Sequence, residues 1–391
     1  MAKLINLKPF REFFQSGQLG GILLIFCVII SLILANSTWG PSFNKLLNTE
    51  WGFEWRSVQL IYSNSLWIND ALMAVFFLLV GLEIKRELLE GELSSIKKAA
   101  MPVFAALGGM LMPAAIYTLF NYGRETGHGW GIPMATDIAF ALAIISLLGK
   151  KVPASLKIFL AALAIVDDLG AILVIAIFYT SELHLDYLAY SAGIIALLAA
   201  FNYFGVKKLI FYIIPGIFLW YFVHHSGIHA TIAGVLLAFC IPTNPVKETS
   251  PLEKLEHIIL KPVNFFIMPL FALANTNIHL ESEMLNGLLS PLGLGIITGL
   301  VLGKPLGVML FSWISVKLGW STLPSQANWK HILGLGMLAG IGFTMSIFVS
   351  LLSFKEATLQ TEAKFCILVA SILASFIGYQ FLNMLNKRKT A

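Results

Sequence analysis

Apolar runs of about 20 residues recur along almost the whole of this 391-residue chain. Wound as an α-helix rising ~1.5 Å per residue, such a run spans the ~30 Å hydrocarbon core of a bilayer. Only helices and closed barrels cross lipid, because every backbone N–H and C=O must find its partner within the protein. These runs are continuous rather than alternating, so they describe an all-α polytopic membrane protein and not barrel strands. About twelve transmembrane helices are expected, near 19–36, 65–84, 97–121, 130–149, 155–179, 186–205, 208–224, 227–243, 257–278, 292–316, 331–352 and 362–385. The connections are short, which leaves one transmembrane domain over 1–391 and no soluble domain. The longest outside segment, 37–64, contains NTEWGFEWRSVQLIY. Its aromatic alternation predicts a small extracytoplasmic hairpin, placed at 45–58.

A chain that is 12% charged carries about half the charge of a soluble protein, and its mean hydropathy is +0.82. The net charge of +5 therefore reports loops rather than a nucleic-acid surface. With the N-terminus in the cytoplasm, twelve spans put 20 Lys and Arg on the cytoplasmic side, among them Lys3, Lys85, Arg86, Lys97, Lys98, Lys207, Lys208, Lys247, Arg388 and Lys389. Five, namely Lys45, Arg56, Arg124, Lys355 and Lys364, fall on the other side. That bias places both termini in the cytoplasm. The basic start, MAKLINLKPFREFFQSG, leads into an apolar run with no cleavage site, so the run is expected to be an uncleaved first span. Cys27, Cys240 and Cys366 lie singly in apolar runs and give neither a disulfide framework nor a metal spacing.

Four ionisable residues interrupt the spans: Asp137, Asp167, Asp168 and Lys304. Asp168, in LAIVDDLGAI, and Lys304, in GLVLGKPLGVML, stand near mid-bilayer depth. Alone in lipid each would cost about 2.5–3.5 kcal/mol, and the four together on the order of 10 kcal/mol, comparable to the whole stability of an ordinary domain. They must pair with one another or line a wet cavity. Three acids and one base leave excess negative charge, which calls for a cation or a proton. Adjacent helical residues point ~100° apart, so Asp167 and Asp168 face different neighbours. One can pair with Lys304 while the other faces a cavity and holds either a proton or a small hard cation. A group that takes either species, but not both, supplies the logic of exchange.

Asp137 lies in GIPMATDIAF, 131–140, where Pro133 removes an N–H and Gly131 loosens the backbone. Far downstream AGIGFTMSIF, 339–348, has Gly340 and Gly342 in a similar order of Gly-Ile, breaker and Thr. These are the middle spans of the triplets 3–5 and 10–12. Interruptions at matching places in two halves point to a transporter site, and an odd number of spans per repeat inverts one repeat relative to the other. Helix ends and freed carbonyls beside Thr136 and Thr344 would offer partial charges to an ion. Gly299, Gly303 and Gly307 recur at four-residue spacing around Lys304 and predict close helix packing.

Taken together, GLEIKREL, ATDIAFAL, LAIVDDLGAI, SGIHATIAG, GKPLG and GIGFTMSIF resemble the NhaA family of bacterial sodium/proton antiporters, from about Phe10 to Phe381. The resemblance implies two discontinuous helices, spans 4 and 11, crossing near the midplane. It implies electrogenic, pH-regulated exchange of Na⁺ or Li⁺ for H⁺ across the bacterial inner membrane, serving sodium and pH homeostasis. Asp168 would be the primary ion ligand, and Asp167 its titrating neighbour paired with Lys304. Asp137 and Thr136 would lie beside breaks supported by Pro133, Gly340, Gly342 and Thr344. Glu83, Arg86, Glu87, Glu256 and His257 would form a cytoplasmic pH-responsive cluster, with His229 a further modulator. Leu260 stands where the family pattern has a second histidine. The hairpin resembles the family's dimer contact, which implies a homodimer in the bilayer. Apart from the transported ions, no cofactor is expected.

Other chemistries fit these residues less well. His225 and His229 have metal-like spacing, but Gly227 separates them and no third ligand is near in sequence, which argues against zinc. Asp70, at the outer start of span two, reads as a helix-terminus charge. An intramembrane aspartic protease would need a Gly-Asp dipeptide, and the sequence has none. A sodium-coupled symporter of organic anions would need a spare basic residue, and Lys304 is already required by an aspartate.

Overall fold

The computed structural model describes residues 8–55, 58–180, 182–243, 250–281 and 284–387. Lys3, Arg56, Lys247, Arg388 and Lys389, which the charge bias counts, lie outside the described residues. Helix α1 (Lys8–Ala35) is followed, after a bend of 113°, by the surface helix α2 (Gly40–Asn48), which buries Phe43 and Leu47. Then come β1 (Glu50–Trp55) and β2 (Val58–Ser63), antiparallel, with Glu50 opposite Ser63 and Trp55 opposite Val58. The hairpin thus occupies 50–63 and not 45–58. Residues 45–48 extend an amphipathic helix, and strand-favouring aromatic and branched residues begin only at Trp51.

The rest is helical: α3 (Asn64–Leu89), α4 (Ile96–Asn121), a 3-10 segment (Glu125–Met134), α5 (Ile138–Leu147), α6 (Ala154–Phe178), α7 (Leu185–Tyr203), α8 (Ile210–His225) and α9 (Ile232–Cys240). After these come α10 (Pro251–Asn275), α11 (Pro291–Lys317), α12 (Trp329–Ala339), α13 (Phe343–Ser353) and α14 (Ala357–Lys387). Among the described residues, seven helices are long and apolar enough to cross a membrane, or ten if each bent pair is one span. The bent pairs are α1 with α2, the 3-10 segment with α5, and α12 with α13. The expected spans 208–224 and 227–243 fold as α8 and α9, only 16 and 9 residues long. At ~1.5 Å per residue they reach about 24 and 14 Å, short of the ~30 Å core. The helix lengths describe a multi-pass membrane protein with seven to ten full-length apolar spans among the described residues. Lipid contact explains α7, which buries only Ser191 and Leu198 while Leu185, Tyr190 and Leu197 are exposed.

The glycine stripe of α11 forms its seam with α4. A Cβ on Gly307 would sit 2.0 Å from Gly108 O, and one on Gly108 would sit 2.1 Å from Gly307 O. Farther along, a Cβ on Gly303 would meet Pro113 Cα at 3.0 Å, and one on Gly299 would meet Pro133 Cβ at 2.8 Å. Gly307→Val is therefore expected to pry the two helices apart and cost about 1–3 kcal/mol or more. Thermal unfolding in detergent measures this, and an unchanged midpoint would show the seam to be loose. Single π-turns widen α3 at Trp67–Leu72, α10 at Val263–Ile267 and α11 at Gly299–Gly303. Such turns re-aim the side chains that follow, and the last lies directly before Lys304.

Candidate functional site

The two interrupted stretches meet at their gaps. The 3-10 segment bends 45° into α5, and α12 bends 49° into α13. Asp137 N–H donates to Ile341 O at 2.7 Å, and Ser346 Oγ donates to Ile132 O at 2.7 Å. The breaks have local causes. Pro133 lies in the 3-10 segment, and the backbone of Ala135 and Asp137 is extended. Gly340 passes so close to α11 that a Cβ there would lie 2.4 Å from Leu300 O. A Cβ on Gly342 would meet Ser346 Oγ at 2.1 Å.

Each freed helix end has found a partner of the right sign. Asp137 caps α5, its Oδ1 accepting from Phe140 N–H at 2.9 Å. Its Oδ2 accepts from Thr344 N–H at 3.1 Å and from Thr344 Oγ1. One carboxylate thus serves the first turns of α5 and α13, the positive ends of two helix dipoles. Phe343 N–H donates to Ser371 Oγ of α14 at 3.1 Å. On the opposite side of each gap the carbonyls are met by donors. Lys304 Nζ donates to Met134 O, and Thr136 Oγ1 lies 2.9 Å from Ala339 O.

Asp167 and Asp168 occupy the middle of α6 and look in different directions. Lys304 Nζ lies 2.6 Å from Asp167 Oδ2, and Thr136 Oγ1 lies 2.7 Å from the same oxygen. Asp167, Lys304 and Thr136 are all 0% exposed. The single Thr136 proton cannot serve both Asp167 Oδ2 and Ala339 O, so one contact is open while Asp167 is ionised. A proton on Asp167 could donate to Thr136 Oγ1 and free that hydroxyl for Ala339. Asp168 is 2% exposed and its Oδ1 has no hydrogen-bond partner, as is also true of Asp167 Oδ1. Among the described residues no ion pair reaches Asp168. Asp137 is balanced by two helix ends and Asp167 by Lys304, which leaves one carboxylate uncompensated.

A cavity of about 30 Å³, room for roughly one water or small ion, lies between α3, α5, α10 and α13. Glu83, Asp137, Asn264 and Thr344 are its polar walls. Glu83 is 5% exposed and its Oε1 has no hydrogen-bond partner. One turn on, Arg86 pairs with Glu256 through Nη1 and with Glu87 Oε1 at 3.4 Å. Glu83, Arg86 and Glu87 of α3 are therefore brought together with Glu256 of α10, next to which His257 is exposed; Leu260, one turn on, is buried.

His225 and His229 do not converge. His225 Nδ1 is 2.9 Å from Tyr221 O, and His229 Nδ1 is 2.8 Å from Thr231 Oγ1. Asp70 is more than a helix-terminus charge: it sits in the π-turn of α3 and pairs with His224 Nδ1 at 3.2 Å and His229 Nε2 at 3.6 Å. Ser346, Ser371 and Asn264 also border the site, and the sequence gives no charge or periodicity signal for them.

Residues 11–382 match the family model described as Na⁺/H⁺ antiporter 1. The chain is 64% identical over 390 residues to the Na(+)/H(+) antiporter NhaA 2 of Flavobacterium johnsoniae, covering 100% of this chain and 96% of that protein. It is 51% identical over 370 residues to the Na(+)/H(+) antiporter NhaA of Flavobacterium psychrophilum, covering 95% of this chain and 94% of that one. It is 48% identical over 382 residues to the Na(+)/H(+) antiporter NhaA of Escherichia coli O139:H28, covering 97% of this chain and 98% of that one. The chain belongs to the Na⁺/H⁺ antiporter family, whose members are secondary transporters and not enzymes.

Proposed function

We propose that the protein exchanges Na⁺ or Li⁺ for H⁺ across the bacterial inner membrane, the two ions competing for Asp168 with Asp167 as its titrating neighbour. One observation carries this: Asp168 is buried beside two compensated carboxylates and has no counter-charge of its own. Oxygen ligands suit a small hard cation, and a proton discharges the same oxygens. When Na⁺ sits at Asp168 the local charge is balanced, and when it leaves protons must replace it. Loss of a proton from Asp167 re-forms its pair with Lys304, so two carboxylates can be discharged per sodium released. That makes exchange electrogenic and drivable by membrane potential.

The same proposal has twelve spans with both termini in the cytoplasm, inverted repeats over spans 3–5 and 10–12, and the two interrupted stretches crossing as helices. Asp137, Thr136, Thr344, Pro133, Gly340 and Gly342 set the charge balance and shape of the crossing. Glu83, Arg86, Glu87 and Glu256, with His257 and His229, adjust activity to pH. The hairpin presents exposed Trp51 and Phe53 and is assigned to the contact of a homodimer.

Competition has a quantitative signature. In proteoliposomes with a sodium gradient, proton movement should run opposite to sodium, and the apparent KM for Na⁺ should rise up to about tenfold for each unit by which the pH falls, per competing proton. A KM independent of pH would overturn the competition. Clamping the voltage tests the stoichiometry, since an electroneutral exchanger would not respond to it.

A further inference from the structure

The first half of the interrupted span 4 is an element that rarely runs so long. Glu125–Met134 keeps 3-10 geometry for ten residues. Such runs seldom exceed about three or four, because their hydrogen bonds are poorly aligned. Ten residues measure about 20 Å as a 3-10 helix and about 15 Å as an α-helix. The conformation of this segment therefore decides where its far end stands, and Thr136 and Asp137 follow that end directly.

Side chains from four neighbouring helices bond carbonyls along the segment. Tyr117 of α4 donates its hydroxyl to Thr126 O at 2.6 Å. Tyr179, the residue after α6, donates to His128 O at 2.9 Å. Ser346 of α13 holds Ile132 O, and Lys304 of α11 holds Met134 O. The last two belong to the crossing already described, whereas the two tyrosines grip the opposite end.

The segment is shaped to admit them. A Cβ on Gly129 would sit 2.3 Å from the Tyr117 hydroxyl, and one on Gly131 would sit 2.8 Å from that of Tyr179. Tyr117 is fully buried. Asn121, one turn on, accepts from Thr126 Oγ1 at 2.6 Å and donates to Pro291 O, at the start of α11, at 2.9 Å. Trp130 meets Phe178 of α6 edge-on at 5.0 Å. The segment is thus tied to α6, which carries Asp167 and Asp168, and to α4, which is packed on the helix of Lys304.

We propose that Tyr117 and Tyr179 are positioning residues for ion exchange: their hydroxyls hold Glu125–Met134 in its long 3-10 form and so set where Met134 O and Thr136 stand beside Lys304 and Asp167. The proposal rests on the exchange function and ion site given above. A carbonyl oxygen has two lone pairs, so each gripped carbonyl takes a hydroxyl in addition to a backbone N–H. These bonds favour the carbonyl directions of the 3-10 form. An α-helical turn would swing the carbonyls away from the tyrosines and draw the far end back. Binding constellations must be held within about 0.5 Å, far less than the ~5 Å by which the two forms differ in length. Without the hydroxyls, the register of the segment is left to Ser346 and Lys304, the latter being itself part of the site.

Tyr117→Phe and Tyr179→Phe each remove one hydroxyl and keep the ring. Tyr212→Phe is the matched control. Tyr212 is also buried and donates to a backbone carbonyl, Val206 O, at 2.8 Å, but at the link between α7 and α8, outside the site. In proteoliposomes, both site variants should raise the apparent KM for Na⁺ several-fold and change the ratio of the KM for Li⁺ to that for Na⁺, while the maximal rate holds. The control should alter neither quantity, whatever its thermal stability. Hydrogen exchange should quicken at the amides of residues 125–134 in the two site variants and not in the control. Unchanged KM values in both site variants, or an equal rise in Tyr212→Phe, would overturn the proposal. If Tyr117→Phe does not fold, Tyr179→Phe decides alone. A parent protein that moved no sodium would refute the transport function. Amide exchange would then decide the grip by itself, faster exchange supporting it and unchanged rates overturning it.

Discussion

Asp168→Asn is expected to abolish sodium-driven proton movement while the protein stays folded. The amide matches the carboxylate in shape and cannot take up or release a proton in this range. It also removes a buried carboxylate that no ion pair reaches, whose uncompensated burial is a cost to the fold. Stability in detergent should therefore hold or rise as activity disappears, a combination that a packing residue would not give. The assay is proton movement in proteoliposomes beside a thermal unfolding curve. Exchange retained at even a tenth of the parent rate would move the ion site elsewhere. A collapse of stability along with activity would make Asp168 a structural group.

The existence of such a site could be seen in the sequence because lipid penalises a mid-span charge whatever the fold around it. Asp137, Asp167, Asp168 and Lys304 were conspicuous for that reason, and the breakers beside Thr136 and Thr344 marked where helices would stop. Spacing alone left open which aspartate meets Lys304, since the ~100° between neighbours says nothing about the rotation of α6 in the bundle. The structure gives Asp167 to Lys304. Hydropathy marked the apolar stretches at α8 and α9 but not how short the helices within them are, at 16 and 9 residues. It also set the start of the hairpin too early, because the end of the amphipathic α2, with Leu46 and Leu47, runs almost directly into the strand-forming aromatics. Asp70 was undervalued for a different reason: its two partners lie over 150 residues away, and no local pattern announces a pair formed by tertiary packing. The hydroxyls of Ser346 and Ser371 are invisible for the same reason, since each serves a backbone group on another element.

Lys304→Met should be the most destabilising single change in the site. It leaves Asp167 Oδ2 and Met134 O without their ammonium partner in a buried place. Removing one member of a buried pair typically costs about 3–5 kcal/mol, because the other charge remains. Asp167→Asn made in the same chain should recover most of that loss, since replacing both members of a buried pair can be nearly neutral. Lys304→Arg keeps the charge but not the shape. Its planar guanidinium must fit where a slim ammonium sits between a carboxylate and a carbonyl, so reduced stability with some remaining exchange is expected. Thermal unfolding of the parent, both single variants and the double variant forms a cycle whose coupling term measures the pair directly. If the two single effects simply add, Asp167 and Lys304 do not stabilise one another. Lys304 would then act mainly through the Met134 carbonyl, at the end of the first broken helix.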